Sequence, residues 1–333
     1  MPKQTISLCM ITKNEEKYLE QCLNSVKDLV DEIIIVDTGS TDKTKEIAKK
    51  FNAKIYDFKW IDDFSAARNE SLKHATKDWI LVLDADEIVE KKDMQNMLSL
   101  IENTDSCGFT LEQRSYLENY FEGAYQNSSD FEPVKKYPYY ISTSLVRLFR
   151  NNLGIQFRHR VHELVEDSIK EKNLKYQKQG IILHHFGTLK EKGLVSSKAD
   201  MYSRMIMHQI EEHPEEPRYN YQAARMFIGK NDLANALKYF EKTAELDPSY
   251  KLVYSEIAKT YLRMNDGKKA IEHFRKSMEL NPENPSPANN LAVIYMSMGK
   301  FEQAKDILEE QIKKHPENAA LKQNYEECVK NLK

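Results

Sequence analysis

The sequence predicts an α/β domain followed by an all-α domain built from helical repeats. Over about residues 5–90, short apolar runs alternate with amphipathic helical stretches, a pattern typical of a parallel sheet covered by helices. From about residue 196 these runs stop and a regular repeat begins. The chain has 333 residues, which exceeds the usual size of a single domain. We therefore predict two domains, at residues 1–195 and 196–333.

The apolar runs of the first domain are expected to form strands. They lie at residues 6–11, 33–36, 54–58, 79–83, 144–149 and 181–185. Between the first two runs, apolar side chains recur at helical spacing over residues 15–30, with Asn14 before them as a candidate N-cap. After the second run, residues 37–42 predict a turn that leads into another helix. This order predicts a βαβαβ opening.

The second domain repeats with a period of 34 residues, which is the period of tetratricopeptide repeats. The prolines at this spacing are Pro214, Pro248, Pro282 and Pro316. Four further position classes keep the same spacing: Ala224, Ala258 and Ala292; Phe227, Tyr261 and Tyr295; Ala236, Ala270 and Ala304; Phe240, Phe274 and Leu308. Each hairpin is expected to bury these side chains against its neighbour. The pattern predicts about three repeats, with residues 196–212 as an entry cap and 319–333 as an exit cap.

Composition argues against several classes of protein. The formal net charge is -3 and no long run of one sign occurs, so a nucleic-acid partner is not expected. The amino terminus carries no export signal and no window contains eighteen apolar residues, which predicts a cytoplasmic protein without a membrane span. The four cysteines are scattered without a Cys-x-x-Cys pair, which argues against a disulfide framework or a zinc site.

Acidic residues follow two of the predicted strands. Asp37 comes directly after the run at 33–36, and Asp84-Ala85-Asp86 comes after the run at 79–83. In open α/β sheets, ligands bind at the carboxyl ends of the strands, so these carboxylates should gather there. Alternate residues point to one side, which allows Asp84 and Asp86 to face one Mg²⁺ or Mn²⁺ ion bound to a diphosphate. A lone Asp-x-Asp is equally typical of an exposed acidic turn.

Four short motifs occur in one order along the first domain. They are Ile11-Thr12-Lys13-Asn14-Glu15, Val36-Asp37-Thr38-Gly39-Ser40-Thr41-Asp42, Ala67-Arg68-Asn69 and Leu83-Asp84-Ala85-Asp86. As a set they resemble the family 2 glycosyltransferases with the GT-A fold. The resemblance covers residues 5–90 and continues more loosely to about 190. It implies a Rossmann-like GT-A catalytic domain ahead of the tetratricopeptide repeat domain.

The resemblance implies a role for each matched position. It implies that Thr12 and Asp37 contact the nucleobase and ribose, and that Arg68 lies near the nucleotide. Asp84 and Asp86 are implied at the ribose and the metal, with Asp86 as the direct metal ligand. Two alternatives stay open, because an arginine such as Arg68 is often a cation on a helix surface and an aspartate such as Asp37 often forms a turn.

Two later segments add candidates for catalysis. Residues 158–163 read Arg-His-Arg-Val-His-Glu, and residues 182–187 read Ile-Leu-His-His-Phe-Gly. They are similar to elements of the sublancin-type peptide S-glycosyltransferases, which also carry appended repeats. An inverting transfer needs a carboxylate that removes the acceptor proton, and Glu163 is the candidate. His185 is the candidate for a further metal ligand, with His184 and His162 as rivals and a structural role as the alternative for each.

These features predict a metal-dependent inverting glycosyltransferase that uses a nucleotide diphosphosugar, namely a UDP-sugar, with Mn²⁺ or Mg²⁺ as the cofactor. The acceptor is either a protein or peptide or a cell-surface glycan precursor. A scaffold with an inactive sugar-nucleotide domain is the non-enzymatic alternative, and the presence of Asp37, Asp84, Asp86 and Glu163 disfavours it. Nucleotidyl transfer is disfavoured because the turn after the first strand contains no glycine.

The repeat register predicts an acceptor groove on the first helix of each hairpin. The residues in this register are Tyr221, Arg225, Ser255, Lys259, Arg263 and Asn289. Three cations and several hydrogen-bonding groups suit an extended, partly acidic peptide. The alternative is an array that only stabilises the catalytic domain or forms a homodimer.

Overall fold

In the part of the chain that the structure describes, nine strands form one mixed sheet. The structure is a computed structural model that describes residues 3–102, 104–120, 123–187 and 192–332, without the side chains of 192–198. The strands are β1 (Ile6–Thr12), β2 (Glu32–Asp37), β3 (Lys54–Asp57), β4 (Trp79–Val82), β5 (Glu87–Val89), β6 (Gly108–Leu117), β7 (Tyr125–Gln126), β8 (Tyr139–Arg150) and β9 (Tyr176–His185). The order is β3-β2-β1-β4-β8-β6-β9-β5, and β7 pairs with β8.

The first four strands are parallel, and this brings their carboxyl ends to one edge. Strand β1 pairs with β2 in a register that sets Thr12 beside Asp37, and β4 pairs with the other side of β1. Beyond β4 the sheet is mixed, because β8 is antiparallel to both β4 and β6, whereas β9 runs parallel to β6. The short strand β5 ends the sheet, antiparallel to β9.

Five helices accompany the sheet within the described residues, and the one predicted at residues 15–30 is shorter than expected. They are α1 (Leu19–Val26), α2 (Thr44–Lys50), α3 (Phe64–Lys73), α4 (Lys91–Glu102) and α5 (Glu166–Glu171). Helix α1 begins at Leu19, and Asn14 is not its N-cap. Asn14 instead has φ 57°, and its side chain accepts a hydrogen bond from the Thr41 N–H. The residue that was expected to start a helix therefore ties two loops together.

The apolar runs are strands that the protein buries on both faces. Ile6, Leu8 and Met10 of β1 are fully buried and belong to the core that also includes α1 and α4. Cys9 belongs to a second cluster on the other face, together with residues of α5. Burial on both sides explains why these strands read as continuous apolar runs and not as alternating ones.

Eight helices follow the sheet in the described part of the chain. They are α6 (Lys192–Glu212), α7 (Pro217–Gly229), α8 (Leu233–Leu246), α9 (Val253–Arg263), α10 (Gly267–Leu280), α11 (Pro285–Ser297), α12 (Phe301–Lys314) and α13 (Ala319–Asn331). The repeated alanines at 224, 258, 292, 236, 270 and 304 are all fully buried, as are Phe240, Phe274 and Leu308. The predicted α/β domain followed by an all-α repeat domain is confirmed.

Contacts divide the chain into the units Met1–Met205 and Ile206–Lys333. The division falls inside helix α6, whose side chains are described from residue 199 onward. The sequence boundary at residues 195 and 196 lies outside the described side chains and stays a prediction. No helix among the described residues is both long and apolar enough to cross a bilayer.

Candidate active site

The loops after β1 and β2 are joined at the first part of the sheet edge. The Thr12 hydroxyl donates to Asp37 Oδ2 at 3.2 Å, and Asp37 Oδ1 accepts from the N–H groups of Gly39 and Ser40 at 3.1 and 2.9 Å. Asp37 is fully buried and Thr12 nearly so. Asp37 thus forms the Asx turn that the sequence left open as an alternative, with one oxygen directed at Thr12.

Asp37 stays ionised despite its burial. Burial raises the pKa of this carboxyl, but the hydrogen bonds from Ser40 and Gly39 and the nearby Lys45 lower it by more. Lys45 Nζ lies 3.5 Å from Asp37 Oδ1. Asp37 would therefore offer a nucleobase or ribose a carboxylate that is held in one orientation. Because Asp37 is fully buried, such a group would reach it only after a local rearrangement. Contact of Thr12 and Asp37 with a nucleotide stays a prediction.

The Asp-x-Asp motif follows β4, and its two carboxylates have different surroundings. Asp84 Oδ1 accepts from Arg68 Nη2 at 2.7 Å, and Asp84 Oδ2 lies 3.5 Å from Arg147 Nη2. Burial opposes ionisation of Asp84, but the two guanidinium groups hold its pKa well below the ordinary value. Arg68 is therefore not a cation on a helix surface. It is 6% exposed and is bound to the site.

Two residues of this network were not predicted from the sequence. Arg147, in the middle of β8, lies 3.6 Å from Glu87 Oε1, and Glu87 Oε2 accepts from the Asp84 N–H at 2.7 Å. Glu87 is fully buried, and burial raises its pKa. Within the described residues, Arg68 Nη1 and Arg147 Nε are buried without a hydrogen-bond partner. Buried donors of this kind are rare in proteins and indicate a site that receives an acceptor from outside.

Asp86 faces His185 across a small gap. His185 Nε2 lies 3.5 Å from Asp86 Oδ1, and the other ring nitrogen lies 2.8 Å from the Ser115 hydroxyl. A Cβ at Gly187 would come within 2.4 Å of His185 Nε2 and 2.9 Å of Asp86 Oδ2. Any side chain at this position would fill the space between the two groups. The ring is thus oriented by one nitrogen and presents the other, as metal-binding histidines do.

His184, the rival of His185, points to the opposite face of β9 because side chains alternate along a strand. It is fully buried, with Nδ1 2.6 Å from the Tyr116 hydroxyl and Nε2 3.1 Å from Glu90 Oε1. Burial lowers its pKa to about 4. Both ring nitrogens are engaged, so His184 has a structural role. The second rival, His162, is exposed, with its ring 6.2 Å from that of Tyr202.

Glu163 lies on a loop that helix α3 holds at several points. Arg68 Nε donates to Glu163 Oε1 at 2.6 Å, so one guanidinium bridges Glu163 and Asp84. Asn69 exchanges two hydrogen bonds with the backbone of Phe157, and the Phe64 N–H donates to the Arg160 carbonyl. The Ala-Arg-Asn motif therefore positions Glu163, and its Oε1 is occupied while Oε2 has no bond to another described residue.

The loop before Glu163 has an unusual backbone. His159 and His162 have φ 75° and 55°, in the left-handed region that costs most residues about 1 kcal/mol or more. His159 Nε2 lies 2.6 Å from Asp167 Oδ2, which holds the first of the two turns. These turns bring the side chain of Glu163 back toward Arg68.

The candidate groove residues contact neighbours outside the predicted set. Arg225 and Lys259 lie 3.2 and 3.3 Å from the same carboxylate, that of Glu256, which was not among the predicted groove residues. Arg263 donates to the Asn231 side chain, and Asn289 accepts from the Asn324 side chain. Tyr221 packs on Tyr250, and Ser255 is nearly buried. The positive charge of this helix face is therefore partly neutralised.

Comparisons with known proteins match different families to the two parts of the chain. Residues 7–162 match the model of glycosyl transferase family 2, and residues 217–250 and 264–324 match tetratricopeptide repeat models. A TPR repeat-containing protein of Synechococcus elongatus is 32% identical over 75% of this chain and 60% of its own length. The SPbeta prophage-derived glycosyltransferase SunS of Bacillus subtilis is 27% identical over 72% of this chain and 53% of its own length. An uncharacterized glycosyltransferase of Rickettsia typhi is 30% identical over 60% of this chain and 65% of its own length.

Proposed function

We propose that this chain, whose N-terminal domain belongs to glycosyl transferase family 2 and whose C-terminal domain consists of tetratricopeptide repeats, is a metal-dependent inverting glycosyltransferase. The donor is a nucleotide diphosphosugar, and the resemblance in the motifs around Asp37 and Asp84 favours a UDP-sugar. The acceptor is a protein or peptide. The chain spans about half to two thirds of the length of the curated relatives described above. The donor and the acceptor are therefore proposed for this chain alone and are not taken over from those relatives.

One observation carries the proposal. A carboxylate and an imidazole, Asp86 and His185, face each other at the sheet edge, and the Arg68 guanidinium joins the neighbouring Asp84 to Glu163. The edge thus combines two side chains that could bind a cation, Asp86 and His185, with the carboxylate of Glu163, which Arg68 holds in place. An inert acidic turn would not account for two arginines at 6% exposure.

The residues fit a divalent metal, which family 2 generally uses. In the described part of the chain no three His, Cys, Asp or Glu side chains converge on one metal position. Asp86 and His185 would supply two ligands, and the diphosphate and water would complete the shell, as is common for Mg²⁺. The gap that Gly187 leaves between them supports this assignment. When bound, Mn²⁺ or Mg²⁺ would neutralise the charge of the departing diphosphate.

The acceptor reacts from the face opposite the diphosphate. The nucleophilic oxygen, nitrogen or sulfur forms a bond to the anomeric carbon, and the bond from that carbon to the diphosphate oxygen breaks. The electron pair leaves with the nucleoside diphosphate. The proton of the nucleophile passes to Glu163, and Oε2 is the oxygen available, since Arg68 engages Oε1. Arg68 Nη1 and Arg147 Nε are donors for substrate oxygens.

The proposal is tested by incubating the full chain with a panel of nucleotide sugars, with Mn²⁺, with Mg²⁺ and with EDTA. Released nucleotide is measured by mass spectrometry. We expect slow release of UDP from one sugar, in the presence of metal only, and faster release when a protein acceptor is added. An Asp86→Ala preparation purified in parallel controls for contaminating hydrolases. Absence of release from every donor with either metal would contradict the proposal.

A further inference from the structure

Helix α6 brings a tyrosine to the candidate active site. The ring of Tyr202 lies 5.5 Å from the ring of Phe64 and 6.2 Å from the ring of His162. Phe64 begins helix α3, which carries Arg68, and His162 directly precedes Glu163. The phenol is thus inserted between the helix that holds the candidate base and the loop that carries it. All of these residues belong to the unit Met1–Met205.

The charges around the phenol are those of the candidate active site. Burial raises the pKa of Tyr202 to about 12, and the largest further contribution comes from Glu163, followed by Asp84. The hydroxyl therefore keeps its proton at neutral pH and is a neutral hydrogen-bond donor. Among several carboxylates, a neutral donor can approach an incoming hydroxyl group without adding charge to the site.

The hydroxyl of Tyr202 makes no hydrogen bond to another described residue, although its ring is packed. Its surroundings are otherwise well bonded, since Arg68 spans Glu163 Oε1 and Asp84 Oδ1 at 2.6 and 2.7 Å. Two polar groups near each other thus stay available, the Tyr202 hydroxyl and Glu163 Oε2. The Tyr202 hydroxyl is not among the buried polar atoms that lack a partner, so it is accessible to water or to a polar group of a substrate at this site.

We propose that Tyr202 is a substrate-contacting residue, whose hydroxyl orients the nucleophile of the acceptor beside Glu163. This inference rests on the function proposed above. The Tyr202 O–H donates to one lone pair of the attacking oxygen, which directs a second lone pair to the anomeric carbon and the proton to Glu163 Oε2. Tyr202 thereby fixes the geometry of attack, and Glu163 takes the proton.

The test uses Tyr202→Phe in the full chain, because phenylalanine keeps the ring contacts with Phe64 and His162. Donor hydrolysis, with water as the acceptor, is measured with the UDP-sugar that the panel identifies. Binding of UDP with Mn²⁺ is measured by calorimetry. We expect kcat to fall about tenfold, the usual scale for loss of one orienting contact, with UDP affinity changed less than about twofold. Tyr176→Phe, at a tyrosine that is 43% exposed, is the matched control.

A double-mutant cycle with Glu163→Gln separates orientation of the nucleophile from simple packing. Because Tyr202 acts through proton transfer to Glu163, the double variant should be slower than Glu163→Gln by less than about twofold. Additive losses would overturn the inference, as would a wild-type rate in Tyr202→Phe or an equal loss of UDP affinity. A wild-type rate in Glu163→Gln would instead overturn the assignment of Glu163 as the base in the proposed function. If Tyr202→Phe were slow in that case, another carboxylate would have to be the base.

Discussion

Charged side chains are buried at the edge of the sheet and exposed on the repeats. The side chains of Arg68 and Arg147 are each 8% exposed and lie among acids, whereas those of Arg225 and Lys259 are 56% and 39% exposed and share Glu256. Burying an ion pair costs desolvation energy that packing alone would not require, whereas an exposed pair contributes about 0–1 kcal/mol. Substitutions at the edge of the sheet should therefore have the larger effects.

The largest effect is expected for Asp86→Ala. Loss of this carboxylate would leave His185 as the remaining proposed ligand, so binding of UDP should lose its dependence on Mn²⁺. Donor turnover should fall by about 10³-fold or more, since a bound metal stabilises the developing charge by several kcal/mol. Calorimetry with and without Mn²⁺ measures the first effect, and released UDP measures the second. Asp28→Ala, at an exposed position, is the control. Unchanged metal-dependent binding would move the cation site away from Asp86.

Glu163→Gln should act on turnover alone. Glutamine keeps an oxygen that can accept from Arg68 Nε, so the loop should remain in place and UDP affinity should stay within about twofold. Turnover should fall by about 10²-fold, the usual contribution of a general base. Glu20→Gln, at an exposed position of α1, is the matched control. A variant with near-normal turnover would direct attention to Glu166 and Asp167.

The adjacent histidines of β9, His184 and His185, allow a closer comparison of a structural residue with a candidate metal ligand, because they differ only in the face of the strand on which they lie. His185→Ala should weaken Mn²⁺-dependent binding of UDP by about tenfold, as loss of one ligand from a weak site does. His184→Phe should leave that binding intact and lower the free energy of unfolding by about 1–3 kcal/mol, because Tyr116 and Glu90 lose their partner. Urea unfolding measures the second effect. Exchanged outcomes would mean that the assignment of the two faces is wrong.

The smallest effect is expected on the repeats. The double substitution Arg225→Ala, Lys259→Ala should change the free energy of unfolding by less than about 1 kcal/mol and leave donor hydrolysis unchanged. If this face recognises a peptide, incorporation of labelled sugar into protein should fall by about 2- to 10-fold. Lys313→Ala with Lys330→Ala, at exposed positions of α12 and α13, is the control. Unchanged incorporation would favour a glycan acceptor or a supporting role for the array.

Local patterns in the sequence predicted the strands that carry the site, but not which charged side chains pair with one another. Apolar runs that end in acid predicted β2 and β4 to within one residue at each end and placed Asp86 just after β4, because a buried run followed by carboxylates is a local pattern. Arg147 could have been suspected, because a cation between Val146 and Leu148 in an apolar strand is unusual. Its partners Asp84 and Glu87 lie far away in sequence, and local spacing carries no information on such pairs.

Two other residues were missed for a different reason. Tyr202 stands among Met201, Met205 and Ile206 at helical spacing, and an aromatic residue in that pattern is typical of a core. Glu256 lies on the same helix as Lys259, one turn away, but it follows Ser255 and falls outside the register positions that were predicted to line the groove. In the same way, alternation along β9 predicts that His184 and His185 face opposite sides, but not which side carries Asp86.

Helix α6 has a consequence for the exchange of modules between related chains. The family match ends at residue 162, whereas the first unit continues to Met205 within a helix that ends at Glu212. A recombination point before Lys192 would import the residue at position 202 together with the foreign repeats. A point after Met205 would retain the tyrosine of the host. If Tyr202 contacts the substrate as proposed, chimeras joined at these two points would differ in turnover even when they carry the same array.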